Sequence, residues 1–190
     1  TITRYGQSFA AQFEHVLTSQ NDQALPHPRR IHSHTGNLWF NGHSYDAIVE
    51  NGMPPKNATL STVCSSKQQK HTIHKNRYDF TSWLKQKLPE MDIFGHGVRF
   101  VEKKYEALEA YRYHLAIENY IGPHHWTEKL ADPYLSGAVP IYYGCTNIEN
   151  YFPKDSYITI DIHNREVAYE IIKSCILDPM DYAKRLEALR

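Results

Sequence analysis

The densest chemistry in the 190-residue sequence lies in Glu118–Lys129, ENYIGPHHWTEK. An apolar run ends at Glu118-Asn119, a Gly-Pro turn follows, then a His-His-Trp cluster, then Thr127, Glu128 and Lys129 before an amphipathic stretch. Thr127 is a good helix N-cap, and the open amides of a helix start together with Lys129 form a site for an anion. Glu128 can accept from vicinal hydroxyls, as acidic residues do for ribose in dinucleotide folds. The same three residues also suit an ordinary capped helix, with Glu128 favouring the dipole and Lys129 solvated. Arg77 is a second candidate, because a guanidinium fork suits a bridging diphosphate better than an ammonium does. It stands near the start of a helical pattern beside Lys67, Lys70, His71, His74 and Lys75; the competing reading is an exposed arginine on a polar helix face.

Other chemistries lack their residues. The close histidine pairs His32/His34, His71/His74 and His124/His125 have neither the i, i+4 spacing nor the carboxylate third ligand of a zincin. No Asp-x-Asp pair is present to hold Mg²⁺ or Mn²⁺ against a nucleotide diphosphate, so protein cations would take that part. Without G-x-S-x-G, a P-loop or G-x-G-x-x-G, serine hydrolase, P-loop NTPase and dinucleotide oxidoreductase lose support. Cys64, Cys145 and Cys175 are odd in number, widely spaced and without a CxxC pair, which fits a reducing compartment.

The elements that would position these residues read as alternating strands and helices. Strands are expected at 60–65, 91–95, 113–118, 138–144 and 156–161. Helices are expected at 74–88, stopped by Pro89, and at 102–111, 127–136, 164–177 and 179–190. Residues 7–18 fit either a helical stripe or a strand edge, and 19–37 read as irregular. Asn-Gly and Pro-Pro within 51–58 mark a linker, dividing a remnant at 1–57 from a domain at 58–190. Strand-helix alternation of this kind implies an α/β fold: a Rossmann-like parallel sheet with helices on both faces and ligands at the strands' carboxyl ends.

Composition narrows the class further. At 41% hydrophobic and 22% charged, the chain has enough apolar residues for a core. Twenty-one basic residues balance 21 acidic ones, but unevenly along the chain: 61–104 holds nine basic and four acidic (+5), whereas 105–190 holds eight and 13 (−5). A local basic excess in a neutral whole points to a small anion rather than to nucleic acid. No apolar run approaches a membrane span of roughly 18 residues and no signal-like start is present. The expectation is a cytoplasmic, bacterial-type protein, whose membrane association would come only through segments outside this stretch.

Tyr111–Gly144, YRYHLAIENYIGPHHWTEKLADPYLSGAVPIYYG, resembles the signature of glycosyltransferase family 10, the α1,3/4-fucosyltransferases. That signature runs Y-[KR]-[FY]-x-[LI]-x-[FIL]-E-N, seven residues, T-E-K, then a G-A-x-P strand ending in glycine. STVCSSKQQ, DIFGHG and NYFPKDSYITIDI are similar to further blocks of the family, so the likeness covers about 58–178. The resemblance implies the C-terminal, donor-binding half of a GT-B arrangement. It also implies transfer of fucose from GDP-fucose to a glycan hydroxyl with inversion and without a metal cofactor. It assigns Arg77 and Lys129 to the diphosphate, Glu128 and Asn119 to fucosyl and ribose hydroxyls, and Thr127 to the helix start. His125 stands where the family often has tyrosine, and Pro133 interrupts a helix that usually runs on, so Asp132-Pro133 is expected to cap a second helical piece. The general base is expected on the N-terminal domain, outside this chain, with Glu128 the only candidate within it. Two readings compete: a non-catalytic nucleotide-sugar binding module, and a GT-B transferase using another nucleotide sugar.

Overall fold

The computed structural model describes residues 7–19, 25–33, 43–69 and 73–189. The N-terminal part contributes α1 (Gln7–Ala10), two short parallel strands, β1 (Val16–Thr18) and β2 (Arg30–His32), and α2 (Tyr45–Asn51). Ser44 caps α2 by accepting from the Ala47 N–H at 3.1 Å. Of the histidines weighed for metal, His34 and His71 lie outside the described residues, as does Lys70.

The rest of the described chain winds around one parallel sheet. β3 (Ala58–Val63), β4 (Asp92–Phe94), β5 (Tyr111–Gly122), β6 (Val139–Cys145) and β7 (Ile158–Thr159) stand in the order β4-β3-β5-β6-β7. α3 (His74–Lys87) runs between β3 and β4 and α4 (Glu128–Leu135) between β5 and β6, while α5 (Arg165–Leu177) and α6 (Asp181–Leu189) follow β7. Period-2 alternation along β5 sorts the two faces. Tyr113, Leu115 and Ile117 pack with Phe80 and Leu84 of α3 and with Ala168 and Ile172 of α5. Ala116, on the opposite face, packs with Leu130 of α4 and Tyr142 of β6. Helices therefore cover both faces, as the alternating pattern predicts.

Three expectations are corrected. The helix expected at 102–111 is a single 3-10 turn, Lys104–Ala107, after which the chain enters β5 at Tyr111. Only one turn fits, because Tyr111 and Tyr113 must already be in register with Ala58 and Leu60. The expected strand at 156–161 pairs with β6 only through Ile158–Thr159 and follows a 3-10 turn at Lys154–Ser156. Pro133 starts no second helical piece: α4 runs through it as one helix, though proline has no N–H to offer the Lys129 carbonyl. α4 then ends in a Schellman arrangement, with Gly137 at φ 67, its N–H donating to Tyr134 O and the Ala138 N–H to Pro133 O.

Segment 52–57, which reads as a linker, carries no helix or strand. Lys56 Nζ donates to the carbonyls of Glu109 (2.8 Å) and Ser136, and burial lowers its pKa to about 8. Met53 occupies the space where a Cβ on Gly137 would stand.

Candidate functional site: a switch point with two cations

Chain order runs β3, β4, β5, yet β5 lies on the far side of β3 from β4. The order reverses between β3 and β5, which is where open α/β sheets hold ligands. Arg77, in the first turn of α3, spans that point: Nη1 donates to Asn119 Oδ1 at 2.9 Å and Nη2 to the Val63 carbonyl at 2.5 Å. The fork thus ties the end of β3 to the end of β5. Arg77 is 9% exposed, and no described carboxylate pairs with it.

Beyond Ile117, β5 leaves its partner. Ile117 pairs with Tyr143 and Gly122 with Cys145, so five steps on β5 face two on β6. Irregular strand of this kind re-aims side chains, and here it carries Glu118 and Asn119. Asn119 reaches Arg77. Glu118, fully buried, turns to the start of α4: Oε1 accepts the Thr127 N–H at 2.8 Å, and Oε2 accepts the Thr127 hydroxyl at 2.7 Å. Thr127 is the N-cap, as expected, and its Oγ1 accepts the Lys129 N–H at 3.3 Å. Such a cap is worth about 1 kcal/mol.

Lys129 Nζ pairs with Glu128 Oε1 at 2.8 Å and lies 4.0 Å from Glu118 Oε2. The two carboxylates shift oppositely. Burial pushes the Glu118 pKa up against the charge of Lys129 and the Thr127 hydrogen bonds. Burial also presses upward on Glu128, but the Lys129 hydrogen bond and charge, helped by Lys104, hold it below its usual value. Glu128 is therefore a carboxylate of depressed basicity.

His125 is half-buried, its ring edge-on to Tyr120 at 5.1 Å, and burial and the Lys129 charge lower its pKa. Its neighbour His124 holds φ 60, a left-handed conformation costly for a non-glycine residue. The surroundings fix it: its N–H donates to Asn147 Oδ1 at 2.7 Å and its Nδ1 meets the Tyr151 hydroxyl at 2.5 Å.

All six residues singled out in the sequence thus fall in one region, in two joined groups: Arg77 with Asn119, and Thr127, Glu128 and Lys129 with His125 beside them. Sequence reasoning gave no role to Glu118, which joins these groups, nor to Lys104. Lys104 Nζ pairs with buried Asp132 Oδ2 at 2.5 Å. Lys104 and Arg77 both bear on buried His114, whose pKa falls to about 3 mainly through burial. The only available signal for Lys104 was its membership of the basic segment. Beside the site, a cleft of about 840 Å³ opens at the carboxyl ends of β6 and β7, lined by Tyr142, Tyr143, Gly144 and Tyr157 among others. Among the described residues, no group of three or more His, Cys, Asp or Glu is arranged to hold a metal ion. No described helix is long and apolar enough to cross a membrane.

This parallel sheet, with helices on both faces and two cations beside its switch point, is the Rossmann-like half of a GT-B arrangement. The family model described as glycosyltransferase family 10 (fucosyltransferase) C-term matches residues 53–184, and the chain belongs to that family. It is 35% identical over 74 residues to alpha-(1,3)-fucosyltransferase FucT of Helicobacter pylori, a match covering 38% of this chain and 16% of that protein. It is 39% identical over 69 residues to GDP-fucose protein O-fucosyltransferase 3 of Xenopus tropicalis, covering 35% and 15%. The crystal structure of an alpha1,3-fucosyltransferase with GDP-fucose superposes with a TM-score of 0.60 at 27% identity, covering 74% of this chain and 41% of that one. The matches therefore span well under two thirds of the relatives' length.

Proposed function

We propose that this chain is the donor-binding half, residues 58–190, of an inverting fucosyltransferase that uses GDP-fucose and a glycan hydroxyl as acceptor. The observation that carries it is the fork of Arg77 across the switch point beside the helix start at Thr127. Arg77 and Lys129 clamp the diphosphate and stabilise the charge that develops on the leaving GDP, a part that needs no divalent ion. Glu128 and Asn119 accept and orient fucosyl and ribose hydroxyls, His125 closes the side toward Tyr120, and the neighbouring cleft has room for a nucleoside. Glu128, held below its usual pKa, is a weaker proton acceptor than an ordinary carboxylate, which agrees with a base for the acceptor hydroxyl on the acceptor-side domain. Three cysteines, all buried and unpaired, fit a cytoplasmic protein.

Thermal stabilisation by nucleotides tests the reading. A ligand at 100 times its Kd adds about 2.7 kcal/mol, which is about 5–11 °C for a domain of this size. GDP and GDP-fucose should give that shift and UDP little. A shift with UDP and none with GDP refutes the fucosyl assignment.

A further inference from the structure

Glu118 has no exposed surface with which to touch a ligand, yet the start of α4 and strand β6 converge on its carboxylate. The hydrogen bonds around it all run inward. The Cys145 N–H donates to the Tyr142 hydroxyl at 3.0 Å, and that hydroxyl donates to Glu118 Oε1 at 3.4 Å. From the other side the Lys129 N–H donates to Thr127 Oγ1, and Thr127 donates to Glu118 through both its hydroxyl and its N–H. A group that receives three donors and gives none must act as an ionised acceptor. Space is kept for it as well. A Cβ on Gly144 would stand 2.4 Å from Glu118 Cγ and 2.5 Å from the Tyr142 hydroxyl. Gly144 has no positive φ, so its lack of a side chain serves this close approach rather than a turn.

We infer that Glu118 is the positioning residue of the donor site, fixing the first turn of α4 through Thr127 so that Lys129 is aimed before ligand arrives. This rests on the donor-site reading above. The choice of carboxylate over amide follows: a glutamine would turn its NH₂ against one of the two Thr127 donors, and an unpaired donor buried there would loosen the turn. The fixed turn is what separates Glu118 from a residue that merely fills the core. Its effect on a phosphate ligand passes through Lys129 and the helix start, and it leaves the nucleoside untouched.

The test uses Glu118→Gln and Gly144→Ala in the full chain, each also combined with Lys129→Ala. Titration calorimetry with GDP and with guanosine is paired with amide exchange across Thr127–Leu130. Glu118→Gln should weaken GDP about tenfold, the scale of one hydrogen bond to a charged group, with guanosine affinity unchanged. Exchange in that turn should speed up, with the melting midpoint lowered by a few degrees. In the Lys129→Ala background the further loss of GDP affinity should shrink to about twofold or less, since contacts in series do not add. Gly144→Ala, which alters no charge and no cap, should speed exchange in the same turn by displacing Glu118. Equal losses for GDP and guanosine, or full additivity with Lys129→Ala, overturn the inference. If wild type binds no GDP, the donor-site reading fails on its own; exchange then decides for Glu118, faster exchange in α4 upholding its role and unchanged exchange overturning it.

Discussion

Replacing Lys129 by methionine keeps the aliphatic stem and removes one charge from between two carboxylates. Glu128 lies 2.8 Å from that ammonium and Glu118 4.0 Å from it, with side-chain exposures of 39% and 0%. Breaking a wholly buried ion pair costs about 3–5 kcal/mol. That figure must come down here: Lys129 itself is about one-fifth exposed, its contact with Glu118 is long, and Thr127 and Tyr142 still donate to Glu118. The half-exposed pair with Glu128 adds at most about 1 kcal/mol. A total near 2 kcal/mol lowers the melting midpoint by about 4–8 °C at neutral pH. The dependence on pH carries the diagnosis. Burial holds the Glu118 pKa above its usual value, and Lys129 is the largest influence opposing that rise. Without Lys129 the folded-state pKa climbs further, so the folded form takes up a proton more readily than the unfolded one. The penalty is then full above the raised pKa and is relieved as pH falls through it toward the ordinary carboxylate range. Circular dichroism melts of wild type and Lys129→Met at pH 7.5 and pH 5 should show the gap closing at the lower pH. A gap that is constant, or that widens on acidification, refutes the account of Glu118 as an ionised carboxylate supported by Lys129.

Arg77→Lys keeps the charge but loses the fork, and should weaken GDP by about 1.5–3 kcal/mol while leaving guanosine nearly unchanged; equal loss of both would make Arg77 purely structural. Its loss should exceed that of Lys129→Met when GDP binding is compared at low salt. Lys104→Met strands Asp132, whose side chain is 4% exposed, and should cost about 3 kcal/mol, again recovering toward low pH because burial raises the Asp132 pKa; a melt identical to wild type would show that pair to be idle. EDTA should leave GDP binding intact, and loss of binding restored by Mn²⁺ would revive a metal site. In a radiolabelled transfer assay the 190-residue chain should bind GDP-fucose yet transfer fucose at no useful rate, since a positioned base is worth about 10²–10⁴-fold; efficient transfer by this chain alone would put the base within it.

The parts of the fold that are legible in the sequence are those where burial follows a simple period. Phe80, Leu84 and Leu88 announced α3, and Thr127 before an apolar stripe announced the start of α4. Strands such as β6 show as apolar runs because both faces are covered. Reading failed where tertiary demand overrides local pattern. Lys104–Ala107 has helical residues, but the register of Tyr111 against Ala58 leaves room for one turn only. Pro133 suggests a break, yet the Schellman end and the packing of Leu130 hold α4 together around it. At the site, the cations could be picked out by type and by likeness to the family. Glu118 could not be given a role in the same way, because its work is done on Thr127 and Tyr142, nine and 24 residues away, through an irregular strand that no periodicity foretells.

The balance of charge at the switch point ranks its cations. Lys104 is taken up by Asp132, and Lys129 is shared between Glu128 and Glu118. Arg77 alone of the three meets only neutral oxygens, an amide and a carbonyl, among the described residues. A diphosphate approaching Lys129 must compete with two carboxylates already in place, so much of that attraction is offset before contact. At Arg77 it competes with none. The positive charge is also unscreened by solvent there, at 9% exposure, where an ion pair is stronger than at a surface. On the proposed donor-site reading, Arg77 is the group that draws the phosphates in, and Lys129, moved off Glu128 by the arriving anion, would free that carboxylate to accept sugar hydroxyls. On that reading, binding of the phosphates and capture of the sugar would be one exchange of partners, with Glu118 holding the helix start still while it happens.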